Sequence, residues 1–153
     1  MGMKYLGFSI VPAVLMASYQ DSSVEAKKCR ALAMSGGGSF GSFEAGALYG
    51  MWHQAKNKAD YEYDVVTGIS AGGLNAFGVS MFEKGDEEKM VQWLSDLWAH
   101  LKSSDVWQLY PVKDWGHLIG LLDTKPLEHT VTKLFDEFDH KIKKKLTVAC
   151  ADT

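Results

Sequence analysis

The chain has 153 residues, of which 46% are hydrophobic and 23% are charged, an ordinary composition for a globular protein. A chain of this length forms at most one domain and can bury a sizeable core. Because its net charge at pH 7 is −3, the strongly basic balance typical of nucleic-acid-binding proteins is excluded, and no nucleic-acid partner is expected.

The first 22 residues have the pattern of a secretory signal peptide. Lys4 supplies a positive charge ahead of an apolar run from Tyr5 to Ala17, which is interrupted by Pro12. The run is shorter than the ~20 residues of a membrane-spanning helix, and its length suits a signal peptide. Because cleavage after Ala17 would leave Leu15 at the −3 position, an uncleaved membrane anchor is the alternative. The prediction is a secreted or lumenal protein.

Two short apolar runs follow, each of which leads into a glycine-rich turn. Strands are predicted from Arg30 to Met34 and from Tyr63 to Thr67. The first strand ends in the turn Ser35-Gly36-Gly37-Gly38-Ser39-Phe40-Gly41. The second runs into the turn Gly68-Ile69-Ser70-Ala71-Gly72.

Four helices and one further strand complete the predicted elements. The helices run from about Ser42 to Lys56, Ala71 to Phe82, Asp86 to Lys102 and Lys125 to Phe138. The strand runs from Leu146 to Ala151. In the first helix one face is marked by residues that recur every four positions, Phe43, Ala47, Met51 and Ala55.

This order of elements predicts an α/β fold, a parallel sheet with helices on both faces. In such sheets ligands bind at the carboxyl ends of the strands, which is where both glycine turns fall. A sheet of three strands is small, so the sequence reads as the first half of a larger domain.

The second turn is a G-x-S-x-G motif, the pattern of a nucleophile elbow. Gly68 and Gly72 lack side chains, which lets the strand and the helix cross closely around Ser70. The serine then sits at a helix N-terminus, where the helix dipole and the N–H of Ala71 favour developing negative charge. The alternative is a tight strand–helix turn that contains an incidental serine.

The first turn has the composition of an oxyanion-binding loop. Glycines at 36, 37 and 38 let backbone N–H groups converge on a tetrahedral oxyanion. The same residues also fit the dinucleotide fingerprint G-x-G-x-x-G. That fingerprint requires an acid at the end of the next strand, whereas Asp60 and Glu62 precede that strand's core. Neither a cofactor nor a metal ion is predicted.

No residue is marked by a motif as the base that a serine nucleophile needs. The five histidines lie in predicted helices or loops, where helix-surface positions explain them: His53, His100, His117, His129 and His140. Asp152 follows the last strand without any motif around it.

Three further features bear on partners and on redox state. Trp107, Tyr110 and Trp115 lie in a looser stretch; a role in lining an acyl-chain site or in resting on a membrane interface is one interpretation of them, and not the favoured one. The basic segment 140–145 is either a solvated loop or a contact for anionic lipid headgroups. Cys29 and Cys150 are expected to be buried free thiols, with a disulfide as the alternative in a secreted chain.

With both turns in order, the sequence resembles the patatin-like phospholipase family. The glycine turn and G-x-S-x-G at this spacing carry the resemblance, together with Glu44-Ala45-Gly46-Ala47-Leu48 and Ala71-Gly72-Gly73-Leu74-Asn75-Ala76. Two later segments also fit, Gly120 to Leu127 and Leu146 to Thr153. Residues 28–153 are therefore interpreted as the N-terminal part of a patatin-like domain. Phe40 stands where many members of the family carry a basic residue.

The resemblance implies a lipid acyl hydrolase with a serine–aspartate dyad. Ser70 would be the nucleophile, and phospholipids or other lipid acyl esters would be the substrates, with contact to a membrane surface. The family's aspartate lies in an Asp-Gly-Gly or Asp-Gly-Ala motif, and this sequence contains no Asp-Gly pair. The aspartate is expected downstream of Thr153. The alternative is a truncated, non-catalytic chain that binds lipid or a partner.

Overall fold

The computed structural model describes residues 28–111 and 122–149. These residues form five strands and four α-helices: β1 (Ala31–Met34), α1 (Gly41–Gln54), β2 (Val65–Ile69), α2 (Ala71–Ser80), α3 (Glu87–His100), β3 (Gln108–Leu109), β4 (Leu122–Asp123), α4 (Lys125–Glu137) and β5 (Lys145–Ala149). The predicted signal peptide lies outside the described residues, as do Trp115, His117, Cys150 and Asp152.

A parallel three-stranded sheet in the order β1-β2-β5 forms the centre of the fold. Met34 is in register with Gly68, and Gly68 with Val148, so the carboxyl ends of all three strands lie at one edge. Helix α2 packs along the sheet, where Gly72 lies against Met34 and Gly73 against Val148. The predicted α/β architecture with a parallel sheet and flanking helices is confirmed.

The hydrophobic core joins the sheet to α1, α2 and α3. Its most buried members are Val66, Ala76, Val79, Met90 and Leu94. Helix α1 contributes a face that the sequence analysis did not select: Gly41, Ala45, Leu48 and Trp52.

The four-residue repeat in α1 marks the solvent side instead. Phe43 is 76% exposed and Met51 is 40% exposed. A spacing of four drifts around a helix that has 3.6 residues per turn, so it does not follow one buried stripe. Ala45 lies on the buried side of α1, where its small side chain allows close packing against α2 and α3.

The looser stretch after α3 contains an element that was not predicted. Strands β3 and β4 form an antiparallel pair, with Gln108 opposite Asp123 and Leu109 opposite Leu122. Two-residue strands are too short to produce a recognisable alternation of apolar and polar residues.

The basic segment before β5 is not a fully solvated loop. The side chain of Lys144 is 1% exposed, and its Nζ lies 3.2 Å from Glu87 Oε1. The same ammonium group donates to the carbonyl of Phe82 at 2.8 Å. The interpretation as a solvated loop is therefore wrong for Lys144, because a buried glutamate lies within reach of it.

Two further findings concern the exposure of Cys29 and the length of the helices. Cys29 is a free thiol, as expected, but it is exposed, because β1 begins only at Ala31. In the described ranges, none of the helices has both the length and the apolar character that a membrane crossing demands.

Candidate active site

Ser70 occupies the turn between β2 and α2 with an unusual backbone conformation. Its φ is 53° and its ψ is −127°, a left-handed region that non-glycine residues seldom adopt. Such strain persists only where the surrounding structure imposes it, and it is concentrated at functional sites. The carbonyl of Ser70 accepts the N–H of Leu74 at 3.1 Å, so the residue directly precedes the first turn of α2.

The glycines on either side of Ser70 are required by close backbone contacts. A Cβ at Gly68 would lie 2.1 Å from the carbonyl oxygen of Gly72. A Cβ at Gly72 would lie 2.4 Å from the carbonyl oxygen of Ser35. No side chain fits at either position, and this contact brings the start of the glycine-rich loop onto the serine turn.

The glycine-rich loop lies beside Ser70. A Cβ at Gly36 would approach the Ser70 Cβ to 3.1 Å and the carbonyl oxygen of Ile69 to 3.4 Å, so Gly36 lies close against the serine turn. Gly38 has a φ of 58° and begins the short 3-10 turn Gly38–Phe40. Of the residues assigned from the sequence to the nucleophile and the oxyanion site, Gly38, Ser70 and Ala71 line one common cleft, whereas Gly36 and Gly37 are not in its lining.

That cleft has a volume of about 890 Å³ and is largely apolar. It extends from the serine turn between α2, the end of α3 and α4. Its apolar lining includes Leu74, Phe77, Leu101, Val106, Trp107 and Leu127. A cleft of this size and character is suited to an apolar ligand of small-molecule dimensions.

A hydrogen-bonded network lies behind the loop and was not assigned from the sequence. Glu44 Oε1 accepts the N–H of Ser35 at 2.8 Å, and Glu44 Oε2 accepts Asn75 Nδ2 at 3.0 Å. Asn75 Nδ2 also donates to the carbonyl of Gly41 at 3.0 Å, while its Oδ1 accepts Trp98 Nε1 at 2.7 Å. Glu44 and Asn75 stand in the segments that carry the family resemblance, which was the one available signal for them.

A family model described as patatin-like phospholipase matches residues 32–152, which is most of the chain. The chain belongs to the patatin-like phospholipase family. The match includes both glycine turns and extends through β5, and it supports a lipid hydrolase function in general, with lipids as the class of substrate. No curated protein matches the chain, and no solved structure matches it.

Among the described residues of this patatin-like chain, those that line the cleft include no histidine, aspartate or glutamate. Lys102 is the ionisable residue in that part of the lining. The described histidines are engaged elsewhere. The ring of His53 packs at a tilt against Tyr49, His100 Nδ1 lies 2.8 Å from the carbonyl of Asp96, and His140 pairs with the carboxylate of Asp136 on α4. His129 is exposed on α4. The structure thus brings none of these histidines to Ser70.

The acids considered for dinucleotide binding lie away from the end of β2. Asp60 accepts Arg30 at 2.6 Å, and this hydrogen bond lowers the pKa of its carboxyl. Both Asp60 and Glu62 precede β2, whose carboxyl end leads into Ser70 instead of an acid. Within the described ranges, no cluster of three or more His, Cys, Asp or Glu side chains is arranged to hold a metal ion.

Proposed function

We propose that this patatin-like chain supplies the nucleophile and the oxyanion-binding groups of a serine lipid acyl hydrolase. Its substrates are phospholipids or other lipid acyl esters. The observation that carries the proposal is the left-handed conformation of Ser70 at the N-terminus of α2, in the same apolar cleft as Gly38 and Ala71.

In the proposed reaction, Ser70 Oγ attacks the ester carbonyl as its proton passes to a base. The carbonyl oxygen becomes an oxyanion, which accepts the N–H groups of Gly37, Gly38 and Ala71; Gly36 holds the loop against the serine. Collapse expels the alcohol, which takes up the proton, and leaves an acyl-serine. Water then attacks the acyl-serine and releases the fatty acid, which regenerates Ser70.

The base in this proposal is an aspartate that follows Thr153 in a longer chain. Support comes from the lining of the cleft, where the described residues offer neither a carboxylate nor an imidazole. The expectation of an aspartate, and of the Asp-Gly-Gly or Asp-Gly-Ala motif around it, rests on the family to which the chain belongs.

The apolar part of the cleft accommodates the acyl chain of the substrate. Trp107 lines it and is 40% exposed, which suits a side chain at the opening. Phe40 is 75% exposed and follows directly after Gly38 and Ser39, which line the same cleft. Exposed aromatic side chains at the rim of a lipid site favour contact with a lipid surface. The signal-peptide pattern of the first 22 residues supports the proposal that this contact is made in the secretory pathway.

Replacement of Ser70 by Ala tests the assignment of the nucleophile. We expect an alkyl fluorophosphonate to label Ser70 at pH 9, where solvent hydroxide takes the proton that the base would take. Intact-mass analysis should show one adduct on the native chain, none on Ser70→Ala and one on Ser104→Ala, which alters an exposed serine. In a longer chain that includes the aspartate, Ser70→Ala should abolish ester hydrolysis; retained activity would contradict the assignment.

The second candidate function is a non-catalytic patatin-like chain that binds lipid. The absence of a base from the described cleft lining favours it. A folded protein that sediments with phosphatidylcholine vesicles but is not labelled by the fluorophosphonate would support this alternative. Labelling confined to Ser70 would support the hydrolase.

A further inference from the structure

The first residue of the glycine-rich loop is held by a carboxylate on the following helix. Both the backbone N–H and the Oγ of Ser35 donate to Glu44 Oε1, at 2.8 Å and 3.2 Å. Gly36 follows directly and lies against the serine turn, since a Cβ there would approach the Ser70 Cβ to 3.1 Å. This pair of hydrogen bonds therefore fixes the loop one residue before its contact with the serine.

The second oxygen of the same carboxylate is held by the helix that begins after the serine. Asn75 lies on α2, is 1% exposed, and donates through Nδ2 to Glu44 Oε2 at 3.0 Å. Glu44 thus joins the start of the loop to α2 through its two oxygens. The separation of the loop from the serine turn is set by this bridge and by the contact of Gly72 with Ser35.

The orientation of the Asn75 amide is determined by Trp98. An indole nitrogen can only donate, so the oxygen of Asn75 must face Trp98 Nε1, at 2.7 Å. The Asn75 NH₂ group then faces Glu44 and the carbonyl of Gly41, which are both acceptors. Position 44 consequently needs one acceptor for Ser35 and another for Asn75. A carboxylate offers both, whereas the amide of glutamine offers one.

We propose that Glu44 is a positioning residue, which holds the oxyanion loop at its working distance from Ser70 while Asn75 and Trp98 fix its orientation. The importance of this distance for chemistry rests on the proposed function. Displacement of a catalytic group by about 1 Å costs ~100-fold in rate. Glu44 is not among the described residues that line the apolar cleft, so we expect removal of its carboxylate to act mainly on the reaction step.

The first test compares how fast the fluorophosphonate modifies Ser70 in Glu44→Ala, Glu44→Gln and the native chain. We expect the maximal rate of labelling to fall roughly 10- to 100-fold in Glu44→Ala. The fall should be smaller in Glu44→Gln, and the reagent concentration at half-maximal rate should be unchanged in both. Glu88→Ala is the matched control, because Glu88 is an exposed glutamate in the first turn of α3. An unchanged maximal rate in both Glu44 variants would overturn the proposal.

The second test does not depend on the reactivity of Ser70. Backbone ¹⁵N relaxation should give order parameters near the rigid value of about 0.85 for Gly36, Gly37 and Gly38 in the native chain. In Glu44→Ala they should fall below about 0.6, while Gly85 in a distant turn keeps its native value. If Glu44→Ala does not fold, Glu44→Gln is measured, with a smaller fall expected.

Together, the two tests distinguish failure of the proposed function from failure of the positioning role of Glu44. A native chain whose Ser70 is never labelled contradicts the proposed function, and the relaxation measurement still decides the role of Glu44. Rigid loop glycines in a folded Glu44 variant would refute the positioning role even if Ser70 is reactive.

Discussion

At the scale of single residues, the ion pair between Glu87 and Lys144 is the most buried charged contact in the described structure. Both side chains are 1% exposed, and Glu87 Oε2 also accepts the N–H of Gly85 at 2.6 Å. The pair joins the first residue of α3 to the residue that precedes β5. The adjacent pair of Lys143 with Glu83 has 32% and 62% exposed side chains and is screened by solvent.

Replacement of Lys144 by Met is expected to destabilise the fold by about 3–5 kcal/mol, because it leaves a buried carboxylate without its cation. Chemical denaturation measures the change. The double variant Lys144→Met with Glu87→Met should recover most of the loss, since an apolar pair replaces a desolvated charge pair. Lys145→Met alters the neighbouring exposed lysine and should change the free energy of unfolding by less than about 0.5 kcal/mol. Equal effects at 144 and 145 would disprove the argument.

The sequence could not distinguish Lys144 from the other lysines of its segment, because local pattern carries no information about Glu87. By contrast, Gly68, Ser70 and Gly72 were singled out correctly as a strand–helix turn, since that turn depends on local backbone geometry. The positioning role of Glu44 could not be derived, because its partners Ser35 and Asn75 lie on two other segments.

At the scale of elements, Asp123 connects the β3–β4 pair to α4. Its carboxylate accepts Gln108 Nε2 at 2.9 Å and the N–H of Lys125 at 3.0 Å. The hydrogen bond from Gln108 and the backbone hydrogen bond from Lys125 lower the pKa of Asp123. A lowered pKa in the folded state contributes stability above the unfolded value of about 3.9, and this stability is lost as the pH falls through the folded pKa.

Asp123→Asn should therefore lower the melting temperature more at pH 7 than at pH 3. Thermal unfolding followed by circular dichroism at both pH values measures the difference. Asp139→Asn is the control, because Asp139 has an 83% exposed side chain and a left-handed backbone that asparagine also adopts readily. A pH-independent effect of Asp123→Asn would rule out the ionised carboxylate as the source of the stability.

Helix limits were predicted within a few residues because glycine, proline and acidic residues mark them locally: α3 follows Gly85-Asp86, and α4 begins at Lys125-Pro126. The β3–β4 pair was not predicted, because a strand of two residues is too short to show an alternating pattern. The buried face of α1 was missed because the prediction followed a spacing of four through Phe43 and Met51, and because Gly41 and Ala45, two of the four buried residues, are small.

At the scale of the whole molecule, the 153-residue chain should show little or no hydrolysis of lipid esters. None of the described residues that line its cleft has a carboxylate or an imidazole that could act as the base. A longer chain that carries an Asp-Gly-Gly or Asp-Gly-Ala motif should show Ser70-dependent hydrolysis. Release of fatty acid from phosphatidylcholine measures both. Robust turnover by the 153-residue chain that disappears in Ser70→Ala would place the base within this chain.

The central position of β2 also bears on the route by which the chain folds. Helix α2 follows β2 directly, and one α-helix separates β1 from β2. Val65 and its partner Lys145 on β5, in contrast, are separated by three α-helices. Contacts between distant segments form slowly, because a long loop must close before they stabilise anything. We therefore expect the turn that presents Ser70 to form earlier in the folding reaction than the pairing of β2 with β5.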